Sequence, residues 1–277
     1  MPGKEKIIPI ISLPLTAFTI TASVAGLLAP GFYAKETRIW ATQSLGQDII
    51  DLFFITPVLI VTSILASQKN KTALPIWAGT NLYLAYTFAI YCFDVHFNQL
   101  FLFYCFCFGL SVFSFIYFLV VLKSDAPGNG LRHKTPLRFI WIYFIIISVL
   151  FYFLWLADIF PFLLKSSVPT KLAETGMFTN PVEVLDLSLV LPSIFVTGIF
   201  LLNGRSMGFV LTPVILTFII LMDLTISVLT VYASINKVAT DISIAIVMTM
   251  LGIFSAALLI IYFINIRSRN LRYYNDP

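Results

Sequence analysis

The 277-residue sequence predicts an all-α integral membrane protein of about eight transmembrane helices, arranged as two parallel four-helix repeats. Three observations carry this expectation: a shortage of charge, eight apolar runs of membrane-spanning length, and a gap-free internal match that includes an aspartate and a proline.

Charged residues make up 11% of the chain and hydrophobic ones 59%, against roughly 25% and 45–50% in soluble domains. Polar surface is too scarce to coat a globule in water, and no polar stretch approaches the roughly 50 residues of a small domain. A single membrane domain over 1–277 is expected, with no soluble module. The formal charge of +4 would point to nucleic acid only if the basic residues clustered, and they are split among short loops instead. The lipid bilayer is the expected partner, and an oligomer or partner subunit is compatible with this reading.

The runs long enough for a ~30 Å hydrocarbon core follow one another with short breaks. The first, about 7–29, starts after Lys4 and Lys6 and stops at Pro30-Gly31. Its charged start and the small residues Ala22-Ser23-Val24-Ala25 also fit a signal peptide, but the apolar run exceeds a typical signal core, so it is read as a span. The second covers about 48–67, up to Gln68-Lys69-Asn70-Lys71; the third and fourth cover 75–95 and 99–122. After the breaker Ala126-Pro127-Gly128-Asn129-Gly130 come 137–160, then 182–202 opened by Thr179-Asn180-Pro181. Asn203-Gly204-Arg205 introduces 207–233, and 241–266 is the last. Repeat 1 is thus about 7–122 and repeat 2 about 137–266.

With both termini in the cytoplasm, twelve of the seventeen basic residues fall on the inner side, as the positive-inside rule requires. The expected location is a bacterial inner or cell membrane. Asn70-Lys71-Thr72 has the form of a glycosylation acceptor, but this orientation keeps it inside and unmodified. Cys92, Cys105 and Cys107 lie within apolar runs without a CxxC spacing, and are read as small buried residues.

Residues 48–64 align without gaps to 183–199, with identity at Asp51/Asp186, Leu52/Leu187, Pro57/Pro192, Val61/Val196, Thr62/Thr197 and Ile64/Ile199. Shared Leu and Val are expected of any two apolar helices; shared Asp, Pro and Thr at fixed spacing are not. Weaker flanking matches pair Glu36-Thr37 with Glu174-Thr175, Gly79 with Gly208, and Asp94 with Asp223. Four spans separate the copies, so both run in the same direction and the repeat axis lies along the membrane normal. The second copy, with Ala173-Glu174-Thr175-Gly176 and the run Asn180-Pro181-Val182-Glu183-Val184-Leu185-Asp186-Leu187 followed by Pro192, resembles a pattern in prokaryotic polytopic membrane proteins of unassigned function. The resemblance implies a membrane family and no activity.

A proline inside a span removes one hydrogen bond and frees the carbonyl four residues earlier, so Pro57 and Pro192 are expected to kink spans 2 and 6 at Phe53 and Ser188. Paired interruptions in corresponding segments point to a transport site. Eleven residues separate Asp51 from Thr62 and Asp186 from Thr197, about 1100° of a straight α-helix, which places each pair on one face. Asp48 and Glu183 extend that face, although in a first helical turn a carboxylate also simply suits the dipole. Asp223, within span 7, is the deepest acid, and an ionisable group at depth is a functional candidate. Asp94, beside His96, and Asp158, beside Trp155, sit at span ends. They belong either to interfacial caps or to an outer acidic mouth that concentrates cations, since ten of the thirteen acids fall towards that side; Asp94 and His96 are also the one candidate metal pair.

No GxSxG or HExxH motif is present, no lysine lies in spans 7 or 8 to form a retinal Schiff base, and His96 and His133 fall on opposite sides. No cofactor is implied and no metal is assigned. The leading expectation is a transporter or channel for a cation or small solute, with its site between spans 2 and 6. The alternatives are a non-catalytic subunit, receptor or assembly factor, and a membrane enzyme using carboxylates on a lipid or quinone.

Overall fold

The computed structural model describes residues 6–122, 135–238 and 240–273. Among them are eight long helices: α1 (Ile7–Leu28), α2 (Arg38–Ser67), α3 (Ala73–Asp94), α4 (Phe101–Leu122), α5 (Thr135–Leu164), α6 (Pro181–Leu202), α7 (Ser206–Ile235) and α8 (Ile242–Tyr273). A short helical segment, Thr170–Thr175, precedes α6. The Ala126–Gly130 breaker and His133 lie outside the described residues. Seven of the eight are long and apolar enough to cross a membrane; α3 is the exception. Its sequence carries Thr80, Asn81, Tyr83, Tyr86, Thr87 and Tyr91, all buried, so its polar groups face protein.

The connections use the chemistry expected of them. Thr37 and Asn180 cap α2 and α6, accepting from the N–H groups of Trp40 and Val182. The Asn70 side chain accepts from the N–H groups of Thr72 and Ala73 and so caps α3. Gly204, at φ 65°, makes the left-handed step between α6 and α7 that a side chain resists.

Two sequence expectations are corrected. First, α2 begins ten residues before the span expected at 48, because Arg38–Gln47 is helical but too polar for a hydropathy window to register. Asp48 therefore lies well inside its helix, whereas Glu183 does lie in the first turn of α6. Second, Cys105 is exposed on the lateral surface; Cys107 is buried and Cys92 intermediate, and all three are free.

The prolines act differently from simple kinks. Each is preceded by a five-residue π-helical turn, Asp51–Ile55 and Asp186–Val190. The N–H of Thr56 reaches back to the Asp51 carbonyl, and that of Leu191 to the Asp186 carbonyl. The extra residue lets each proline fall in the first turn of the α-helical segment that follows, where a missing N–H matters least.

α3 and α7 pack against each other at the centre of the bundle. The first part of α2 lies on α7 and its last part on α3; the first part of α6 lies on α3 and its last part on α7. Gly79 makes the α3–α7 approach possible: a Cβ there would come within 2.6 Å of the Thr217 Cβ. Gly208 instead faces α6, with a Cβ position 2.4 Å from the Leu201 nitrogen, so these two glycines do different work. Around the centre, Trp77 donates to Ser12 (2.8 Å), tying α3 to α1, and Tyr143 pairs with Ser255 (2.7 Å), tying α5 to α8. The Tyr262 hydroxyl of α8 reaches the Phe209 carbonyl of α7.

Candidate functional site

The π-helical turns place Asp51 and Asp186 at corresponding points, each sixteen residues before the end of its helix. Both aspartates reach α3. Tyr83 donates to Asp51 Oδ1 (3.2 Å) and Tyr86 to Asp186 Oδ1 (3.1 Å). Three residues apart on an α-helix, these tyrosines lie about 60° from each other, so one helix serves a carboxylate from each copy of the sequence match.

Around Asp51 the network is closed. Gln47, one turn earlier, donates from Nε2 to Asp51 Oδ1 (2.9 Å) and to the Tyr83 hydroxyl (2.7 Å), and that hydroxyl also pairs with Thr225 of α7 (2.8 Å). Asp51 is 2% exposed. Asp48 is sealed as tightly, accepting from Tyr33 (2.7 Å, Oδ2) and Tyr91 (3.0 Å, Oδ1). Gly26 of α1 gives that carboxylate its room, since a Cβ there would lie 1.8 Å from Asp48 Oδ2. Tyr33 belongs to the α1–α2 connection. Burial, and then the Asp48 carboxylate beside it, push its hydroxyl well above the usual phenol range, so it remains a donor.

The second copy is more open. Asp186 accepts from Tyr86 and from Trp155 Nε1 of α5 (3.0 Å, Oδ2) and is half-buried. Glu183, also half-buried, accepts from Asn180 Nδ2 (2.8 Å) at the head of α6. The carboxylates of both copies thus receive hydrogen bonds from phenols, two amides and an indole, all neutral donors.

Asp223 stands apart on α7. It is 6% exposed, its Oδ2 has no hydrogen-bond partner, and its Cβ lies beside Gly252 of α8. Thr62 and Thr197 are buried, and Thr62 donates to the Val58 carbonyl one turn earlier (2.6 Å). The π-helical turn subtracts roughly 100° from the rotation counted for a straight α-helix, and with it the reason for placing Asp51 with Thr62, or Asp186 with Thr197, on a single face. The expected Asp94–His96 metal pair is also replaced: His96 places Nδ1 2.9 Å from Glu36 Oε2 and donates its N–H to Glu36 Oε1 (2.8 Å), and no group of three or more metal-ligating side chains occurs among the described residues. Asp94 is partly buried at the end of α3, whereas Asp158, also partly buried, lies six residues before the end of α5, which runs on past the expected span; Trp155 donates to Asp186.

Sequence reasoning missed the donors. Tyr33, Tyr83, Tyr86, Tyr91, Gln47 and Trp155 complete the hydrogen bonding of the carboxylates; the density of hydroxyl and amide groups in α3 hinted at Tyr83, Tyr86 and Tyr91, and nothing pointed to the other three.

An all-helical chain with seven membrane-length apolar helices is a polytopic membrane protein. No protein-family description matches the sequence, and neither a curated protein nor a solved structure matches the chain.

Proposed function

We propose that this chain is a transporter or channel-like protein of eight membrane spans for a proton, another small cation or a small solute, built as two parallel repeats with both termini cytoplasmic. Its site straddles α3 between α2 and α6. One observation carries the reading: Asp51 and Asp186 each open a π-helical turn ahead of a proline, and each meets a tyrosine of the same central helix. Carboxylates with neutral donors inside a span are costly to keep, π-helical turns concentrate at functional sites, and exchange of a cation against such donors needs no ion pair to break first.

Duplication is supported by a contact between positions paired in the weaker flanking match, outside the gap-free segment. The Thr37 hydroxyl donates to the Thr175 carbonyl (3.2 Å), as expected where an element meets its own counterpart near a two-fold axis. The crossed packing of α2 and α6 on α7 and α3 agrees with it.

The test is flux of protons, sodium and potassium in liposomes reconstituted with the purified protein. The reading expects cation flux that is lost when Asp51→Asn and Asp186→Asn are combined. Flux unchanged in that double variant overturns it.

A further inference from the structure

The two copies of the match differ in how their first half is covered. α1 packs along α2 through the π-helical turn, closing over Asp48 and Asp51. α5, in the corresponding place, packs closely on Leu191–Leu202 but stands off from residues 181–190, where Tyr152 and Trp155 bridge to the Leu187 carbonyl (2.6 Å) and to Asp186. Two lateral hollows follow one another along α5, one of about 500 Å³ against Pro192–Val196 and one of about 540 Å³ against Glu183–Ser188, where α5 stands off. Val149, Tyr152, Phe153 and Leu156 of α5 with Pro192 and Phe195 of α6 line the first, which is almost entirely apolar. Leu163, Leu187 and Ser188 line the other, whose far end is Glu183, Asn180 and Ser167.

Along α5 the groove runs from Val149 to Leu163, roughly 21 Å at 1.5 Å per residue. One leaflet of a ~30 Å hydrocarbon core is about 15 Å deep, so the groove takes a full acyl chain and leaves its polar end at the helix starts. That end is an acid. Glu183 aligns with Asp48, whose carboxylate is satisfied on both oxygens by Tyr33 and Tyr91; Glu183 has Asn180 on Oε1. Its other oxygen, on a half-buried side chain that lines the hollow, is open to a donor from whatever fills the groove. Lys165, exposed just past the end of α5, lies in the chain between Leu163 and Ser167, which both line this hollow.

We propose that this groove holds a phospholipid with a primary-ammonium headgroup, phosphatidylethanolamine, its ammonium donating to Glu183, its phosphate towards Lys165 and one acyl chain lying along α5 and α6. The ammonium supplies the hydrogen bonds that a choline headgroup lacks and the positive charge that a glycerol headgroup lacks. This site is independent of the transport reading, because its readout is binding and not flux.

The experiment is native mass spectrometry of the detergent-purified protein titrated with phosphatidylethanolamine, phosphatidylcholine and phosphatidylglycerol of identical acyl chains. One ethanolamine lipid is expected to bind about tenfold more tightly than either competitor, the loss typical of a missing charge-assisted hydrogen bond. Glu183→Gln and the groove-filling Val184→Trp are expected to abolish the preference. Phe113→Trp, on the exposed face of α4, is expected to keep it. Equal binding of the three lipids, preference for the glycerol lipid, or intact selectivity in Val184→Trp would overturn the proposal. Should both groove variants aggregate, titration of the unaltered protein with mono- and dimethylated ethanolamine lipids decides: affinity falling with each lost N–H supports the site, and constant affinity refutes it.

Discussion

Tyr86 donates its hydroxyl to Asp186 at 3.1 Å, one helical turn along α3 from the tyrosine that holds Asp51. The central helix α3 thus fastens the proline-bearing helix α6. The two tyrosines are not equal in burden, which gives the first prediction. The Tyr83 hydroxyl, fully buried, touches Asp51, Gln47 and Thr225, whereas that of Tyr86 meets the half-buried Asp186. Tyr83→Phe should lower stability by roughly 1–3 kcal/mol, the range for stranding buried polar partners, and Tyr86→Phe by clearly less. Unfolding titrations from mixed micelles compare them directly; a larger loss in Tyr86→Phe contradicts the geometry.

Gly26 is the position most intolerant of a methyl group. The Asp48 carboxylate, clamped by Tyr33 and Tyr91, leaves no direction in which to yield. Gly26→Ala should cost about 1–3 kcal/mol through overpacking. Combined with Asp48→Ala, which empties the contested space, the loss should be smaller than the sum of the single losses. Additive losses would mean that the methyl group clashes with something else.

Asp223 and Asp48 should respond oppositely to the same change. Asp48→Leu strands two buried phenols and should destabilise strongly, while Asp223→Leu removes an oxygen that has no hydrogen-bond partner and should leave thermal stability equal or raise it. A stabilised Asp223→Leu protein that has lost cation flux would mark Asp223 as a residue kept for function at the expense of stability.

At the start of α8 the prediction concerns pH. Asp241 accepts from the Ser243 N–H at 2.9 Å, and that backbone bond, first, together with the Ser243 side chain, holds its carboxyl below the usual value of 3.8. A depressed pKa contributes stability that is present above about pH 4 and is lost as the pH falls through the lower folded value. Hydrogen exchange should therefore show the Ser243 amide protected at pH 7 and less protected near pH 3, and Asp241→Ala should remove the difference between the two.

The spans were legible because apolar length alone decides them, and α3 was legible as a helix even though its tyrosines and Asn81 hold its hydropathy down. The start of α2 was not, since Arg38–Gln47 is held by packing against α1 and α7 and has no apolar signature of its own. Asp51 and Asp186 could be picked out because acids and prolines are rare in spans. The tyrosines that serve them could not, because a phenol in an apolar run reads as packing until its hydroxyl is seen to point at a carboxylate. The π-helical turns were equally hidden: proline announces an interruption and leaves its form open, and that form moved Thr62 and Thr197 out of register with the aspartates.

The polarity of α3 also constrains how the chain is made. A segment rich in Asn, Thr and Tyr partitions weakly on its own into a bilayer from the insertion machinery. α3 pairs most extensively with α4, which follows it after a short connection. Entry of α3 together with α4 as a hairpin offsets that weakness, and α4 leaves the ribosome only after synthesis has passed its last residue, Leu122.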